Sequence, residues 1–323
     1  MRICIFGAGA VGGHLAARLA ASGHDVSVVA RGEHLEKMRK DGVKLLHGDE
    51  IIQGKVRTSG LGPQDFVIVA LKANLLPAFA ESAAELLGRD TAVVFAQNGI
   101  PWWYGKNAKA PDLSVLDPEK KLSKAVDPKR VIGAVIDSAN EVIEPGVIKN
   151  LVPNNNMLVV GEADDSDSSR IRTLREILEK SGMSSPPTRQ IRAAIWSKLT
   201  QNLGNSTLCT LTGATVADIR GNAEVNRLAQ ALAAEGRAIA EAYGVDLSAA
   251  PQRPGGGQSS GMVAHKPSML QDFERGRPME VASQLLVPLA FARAAGVAAP
   301  TLEALAPLVA CKAAARGLFD GLK

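Results

Sequence analysis

Met1-Arg2-Ile3-Cys4-Ile5-Phe6-Gly7-Ala8-Gly9-Ala10-Val11-Gly12 opens the chain, and an alanine- and leucine-rich stretch follows it. A short apolar run of this kind is expected as a buried parallel strand, and Val11 to Ala21 reads as a helix on Leu15, Ala16, Leu19 and Ala20. The turn between them has the spacing G-x-G-x-x-G. In a dinucleotide-binding unit the first glycine makes the tight turn and the second lets the backbone approach a diphosphate. The third lets helix and strand pack closely, with the helix N-terminus facing the phosphate charge. The motif alone is weak evidence; its position between a strand and a helix signal strengthens it. Gly7, Ala8, Gly9, Ala10, Val11 and Gly12 are therefore the expected cofactor loop.

The second strand, Asp25 to Ala30, bears on the choice of cofactor. An acid is usual about 20 residues past the glycines where ribose hydroxyls are bound. Arg31-Gly32 stands there instead. A guanidinium suits a 2′-phosphate through charge-assisted hydrogen bonds and stacking on adenine, so NADPH is expected; the alternative is an ordinary surface arginine.

Length and composition allow two domains with substantial cores. The chain has 323 residues, 46% hydrophobic and 22% charged, with a formal charge of +4 spread along its length. Nothing in that distribution suggests nucleic-acid binding. Cys4, Cys209 and Cys311 lie far apart and have no zinc spacing, as expected in a reducing compartment, with Cys4 a core residue. The first strand begins at residue 2 and no apolar run reaches membrane-spanning length, so a cytoplasmic protein that avoids membranes is expected.

Alternating strand and helix signals continue from there. Glu33 to Lys40 reads as a short charged helix and Lys44 to Thr58 as an irregular hairpin-like excursion. Strands follow at Phe66 to Leu71 and Ala92 to Ala96, joined by a helix over Leu76 to Leu87. Val131 to Ile136, Gly146 to Asn150 and Met157 to Val160 are expected to complete the sheet, and Ile171 to Ser181 to close the domain. From about Gln190 the pattern is helical, over Ile191 to Leu203, Val225 to Tyr243, Glu280 to Ala295 and Leu302 to Leu318. The fold class is thus α/β: a Rossmann-type domain over 1–188, then an all-helical domain over 189–323, with the cleft between them as the expected site. Two connections stand out. The segment from Trp102 to Arg130 carries Trp102-Trp103-Tyr104, which could wall an active site, seat the loop or form a subunit contact. Ala249 to Gly261, with Pro251, Pro254 and three consecutive glycines, reads as a mobile linker that could serve as a lid.

Lys72 and Asn98 each follow a strand, where polar groups point into the ligand crevice of an open sheet. Asn98-Gly99 is also a common turn pair. Lys198 and Asn202, at i and i+4, share one helix face, which Ser206 continues if the helix persists. A protonated lysine there could donate a proton to a carbonyl oxygen as hydride arrives; a solvated surface lysine is the alternative. Ser268 could cap a helix or bind a carboxylate, and Glu280 could be merely exposed or position Lys198. No Ser/His/Asp or Cys/His arrangement recurs, and the five histidines form no H-x-x-x-H pair; neither hydrolysis nor a catalytic metal is indicated.

Taken together and in order, Gly7-x-Gly9-x-x-Gly12, Arg31, Leu71-Lys72-Ala73, Gln97-Asn98-Gly99, Lys198-x-x-x-Asn202, and Ser268-Met269-Leu270-Gln271-Asp272 followed by Glu280 resemble the ketopantoate reductase family over nearly the whole chain. The resemblance implies NADPH-dependent reduction of 2-dehydropantoate to (R)-pantoate, on the route to pantothenate and coenzyme A. It implies Lys198 as general acid, Asn98 and Asn202 as substrate ligands, Ser268 at the substrate carboxylate, and Glu280 bonded to lysine and substrate. Lys72 and Asn98 match positions that also touch the nicotinamide side of the cofactor. Three positions depart from the family pattern. Ser206 stands where a second asparagine is frequent, His265 where an asparagine is frequent, and Val281-Ala282-Ser283-Gln284-Leu285-Leu286 follows Glu280. These changes bear on substrate identity more than on reaction type. A same-fold reductase of another 2-oxo acid or carbonyl compound, or a non-catalytic NADP(H)-sensing protein, are the other expectations. The C-terminal helices leave open a homodimer or a monomer core.

Overall fold

The computed structural model describes residues 1–252 and 266–321. The part of the glycine-rich stretch beyond residue 252 and His265 lie outside the described residues. Two compact units result. The first is built mainly from Met1–Gln97 and Lys120–Ile191, the second from Asn98–Glu119, Arg192–Ala250 and the described residues after 265.

In the first unit, β1 (Arg2–Phe6) leads into α1 (Ala10–Ala21), β2 (Asp25–Val29) and α2 (Gly32–Asp41). Next come β3 (Val43–His47), β4 (Glu50–Gly54), β5 (Gln64–Val69), α3 (Pro77–Leu86) and β6 (Leu87–Phe95). After the excursion into the second unit come α4 (Lys121–Ala125), β7 (Val131–Ser138), β8 (Asn140–Glu144), β9 (Val147–Asn150), β10 (Asn156–Glu162) and α5 (Ser169–Lys180). Six strands form one sheet in the order β10-β7-β6-β5-β1-β2. All its pairs are parallel except β10 with β7. This is the expected Rossmann-type sheet, with an antiparallel edge that was not expected, and its strand order reverses between β1 and β5. A ligand crevice forms at the carboxyl ends of such a switch point.

A second sheet, β4-β3-β9-β8, was not expected as such. Lys44 to Thr58 begins as a regular hairpin, and Gly146 to Asn150 does not complete the main sheet. Instead β9 pairs in parallel with β3 and antiparallel with β8. Ile148, in β9, is fully buried. It packs on α1: a Cβ on Gly13 would lie 2.6 Å from Ile148 Cδ1, and one on Gly54 2.4 Å from Ala20 Cβ. The helix is buried from Gly12 through Leu19, which is why, apart from the hydrogen-bonded pair His14 and Arg18, it is built of small and apolar residues there. Leu15 and Leu19 are fully buried and contribute about 1.5–3 kcal/mol each. Cys4 is a core residue, and burial pushes its thiol up to about 11.

The second unit is helical. Its elements are α6 (Ile191–Thr212, whose first residue belongs to the first unit), α7 (Val216–Gly221), α8 (Ala223–Ala242) and α9 (Ser268–Glu274). A π-helical turn (Ala282–Leu286) then runs into α10 (Val287–Ala295), and α11 (Pro300–Ala314) follows. The helix expected to end at Leu203 thus continues to Thr212. Trp103 and Tyr104 enter this unit's core rather than lying on a surface. Tyr104 Oη accepts from Trp196 Nε1 at 2.7 Å, and both rings meet Phe291 edge-on at 5.3 and 5.5 Å. Arg192 donates to the Tyr104 carbonyl at 3.0 Å.

Candidate active site

Each glycine of the opening loop has a different reason to be there. Gly7 has φ +97°, and a Cβ on it would meet Leu71 Cδ2 at 2.6 Å. A Cβ on Gly12 would lie 2.0 Å from the Gly7 carbonyl oxygen, so no other residue fits without moving backbone. A Cβ on Gly9 would meet nothing within 4 Å. Packing among the described residues therefore does not explain Gly9; the close approach of a ligand would. Gly9 is also the N-cap of α1, with no side-chain cap and no acid in the first turn. The positive end of the helix is left for an external anion. These features fit a dinucleotide diphosphate.

Around this loop stand the other residues expected to bind the cofactor. Arg31 lies beyond the carboxyl end of β2, exposed, as the N-cap of α2. Its side chain has no hydrogen-bond or ion-pair partner among the described residues. Lys72, half-buried, follows β5. Two residues that the sequence did not single out for this end join them. Gln97 donates to the Val69 and Leu71 carbonyls at 2.8 and 3.2 Å. Its buried Oε1 has no partner among the described residues. His34, on α2, holds the Ala8 carbonyl at 2.6 Å and accepts from the Gly146 N–H at 3.0 Å.

In the second unit, α6 carries Lys198, Asn202 and Ser206 at successive i+4 steps of one unbroken helix. Lys198 and Asn202 are half-buried and Ser206 is buried. Asn202 Nδ2 donates to Gln284 Oε1 at 3.4 Å, and Gln284 Nε2 donates to Glu280 Oε2 at 3.3 Å. Glu280 is only 7% exposed, so it is not a solvated surface acid. These are long hydrogen bonds, but they run in series and tie Asn202 to Glu280.

The π-helical turn also seats Asn98. Ile100 N–H donates to the Ser283 carbonyl at 2.9 Å, and Ser283 Oγ donates to the Asn98 carbonyl at 3.4 Å. Gly99 has φ +78°, and a Cβ there would sit 2.5 Å from the Ser283 oxygen, so this turn requires glycine. Asn98 Oδ1 is buried without a partner among the described residues. A buried amide oxygen left unpaired costs stability unless a ligand satisfies it. Ser268 is exposed at the first position of α9, whose N-cap is Pro267; the serine does not cap the helix. It makes no hydrogen bond to the Asn202–Gln284–Glu280 series.

A switch-point crevice with an open glycine cradle in the first unit, and in the second a helix face of lysine and asparagine with a buried glutamate, are the features of a dinucleotide-dependent oxidoreductase. Comparison with known proteins narrows the class. Residues 3–165 match the ketopantoate reductase PanE/ApbA family and residues 190–313 its C-terminal domain. A 2-dehydropantoate 2-reductase of Mesorhizobium japonicum is 38% identical over 99% of this chain and 100% of its own length. One from Archaeoglobus fulgidus is 28% identical over 87% of each. A Ralstonia solanacearum structure, solved as a candidate ketopantoate reductase, superposes with a TM-score of 0.85 at 32% identity. It covers 98% of this chain and 99% of its own. The chain belongs to the ketopantoate reductase family.

Among the described residues no group of three or more His, Cys, Asp or Glu could hold a metal ion. No helix there is long and apolar enough to cross a membrane.

Proposed function

We propose that the chain reduces the ketone of 2-dehydropantoate to (R)-pantoate with NADPH, on the route to pantothenate and coenzyme A. The observation that carries this reading is the single face of α6 bearing Lys198, Asn202 and Ser206, with Asn202 linked through Gln284 to the buried Glu280. NADPH, when bound, supplies the hydride that adds to the carbonyl carbon. Gly7 to Gly12 would hold its diphosphate, Arg31 its 2′-phosphate, and Lys72 and Asn98 its nicotinamide side.

The chain's own residues supply the rest of the chemistry. Lys198 donates a proton to the carbonyl oxygen as negative charge grows there, and its ammonium stabilises that charge before transfer is complete. Glu280 keeps Lys198 charged and oriented. Asn98 and Asn202 hold the substrate's polar groups, with Ser206 beside them and Ser268 at the carboxylate. Fixed geometry of this kind accounts for much of the rate gain.

Lys198→Ala is expected to lower kcat by about 10²–10⁴-fold in NADPH oxidation with ketopantoate. Turnover within about tenfold of the parent would overturn the assignment. A second reading, reduction of a different 2-oxo acid, is favoured by one observation: Gln284, outside the family's usual run, bonds directly to two of the site residues. A panel of ketopantoate, pyruvate and 2-oxoisovalerate separates the two by kcat/KM.

A further inference from the structure

We infer that His34 is a positioning residue that sets the orientation of the Ala8–Gly9 peptide, and so aims the Gly9 N–H at the cofactor diphosphate; this rests on reading residues 7–12 as the cofactor loop. The Ala8 carbonyl can only accept a hydrogen bond, so the Nε2 atom 2.6 Å away must carry the ring proton. The Gly146 N–H can only donate, so Nδ1, 3.0 Å away, must be bare. Both ring nitrogens are thereby committed, and one neutral tautomer satisfies them.

The peptide plane carries this constraint across to the loop's other side. Every described peptide bond is trans, so the Ala8 C=O and the Gly9 N–H point in opposite directions. With the carbonyl drawn toward His34, the amide hydrogen faces away from α2. The next carbonyl, that of Gly9, is also turned inward, accepting from Gly13 N at 2.7 Å. Acceptors are thus withdrawn from the open side of Gly9, where a Cβ would touch nothing. A peptide flip there would place a carbonyl oxygen against phosphate oxygens, and His34 opposes that flip. Gly146, at φ +79°, is the fixed point on the β8–β9 turn that keeps the imidazole from rotating.

Equilibrium titration tests this independently of turnover. His34→Ala is expected to weaken both NADPH and NADH by about tenfold, the loss of one hydrogen bond's contribution. Adenosine 2′-monophosphate, which lacks a diphosphate, should bind the variant within about twofold of the parent. His34→Gln, whose amide N–H can reach the carbonyl, should recover part of the loss. His34→Met keeps the bulk without the donor and should behave as the alanine variant does, which covers the case of Ala destabilising α2. Unchanged dinucleotide affinity in the Ala and Met variants would overturn the inference. So would an equal loss of adenosine 2′-monophosphate, because His34 would then act through α2 and Arg31. A parent chain that binds neither dinucleotide would overturn the cofactor reading along with it.

Discussion

His14 shows how much a single buried side chain can impose. It accepts from Arg18 Nε at 2.6 Å through Nε2, while Nδ1 faces Ser138 Oγ at 3.2 Å. Burial, then the charges of Arg18 and His47, lower its pKa from 6.5 to about 3. Arg18 also reaches His47 at 3.1 Å, with Glu50 the acid nearest in effect. Unfolding returns the ring to its ordinary value, so below pH 6.5 the unfolded chain binds a proton that the folded chain refuses. Stability from this group is complete above about pH 6.5 and drains away as pH falls toward 3, by up to about 1.4 kcal/mol per pH unit. Urea midpoints measured across that window should fall steeply for the parent and less steeply for His14→Gln. A parent midpoint flat from pH 6.5 to 4 would contradict the burial assigned here. Residues of this kind were the least legible in the sequence. Apart from Arg18, the partners of His14, His34 and Gln97 lie far away along the chain, and several are backbone atoms that leave no mark on residue type. The helix face of Lys198 and Asn202 and the turn of Gly7 to Gly12 were legible because each is a local pattern.

At the scale of elements, the π-helical turn Ala282–Leu286 does most to shape the polar site. Such turns insert an extra residue into a helix and often occur at functional sites. Here one face meets Asn98 through Ser283 and another meets Asn202 and Glu280 through Gln284. Gln284→Leu should lower kcat by about ten- to a hundredfold, by releasing Glu280 and Asn202, and leave NADPH affinity unchanged. A fall in NADPH affinity with kcat preserved would show that the turn serves something else. The turn was invisible beforehand, because Glu280 to Ala295 satisfies an α-helical pattern and nothing in the pattern marks a widened turn. The central strands were plain for the opposite reason: buried parallel strands read as apolar runs between glycines. Asn140–Glu144, an edge strand of largely exposed residues, gave no such signal.

For the molecule as a whole, the cofactor is the most accessible measurement. A glycine-rich loop and a helix N-terminus bind the diphosphate common to both nicotinamide dinucleotides, so they do not choose between them. On the reading proposed above, Arg31 would carry the choice. A ligand at a hundred times its dissociation constant adds about 2.7 kcal/mol to the folded state. At equal concentration NADPH should therefore raise the melting temperature more than NADH, and Arg31→Ala should remove the difference. Equal shifts in the parent would retire Arg31 as the selector.

The pairing of β3 with β9 has a consequence for how the chain is made. Lys44 lies beside Val147 in that ladder, so the partner strand emerges roughly a hundred residues later, on the order of 5–20 s at ordinary rates of translation. Over that interval β3 can pair with β4 but its other edge is bare, an invitation to strands of neighbouring nascent chains. The finished sheet hides this exposure completely. A ribosome that stalls between the codons for Leu45 and Ile148 prolongs it.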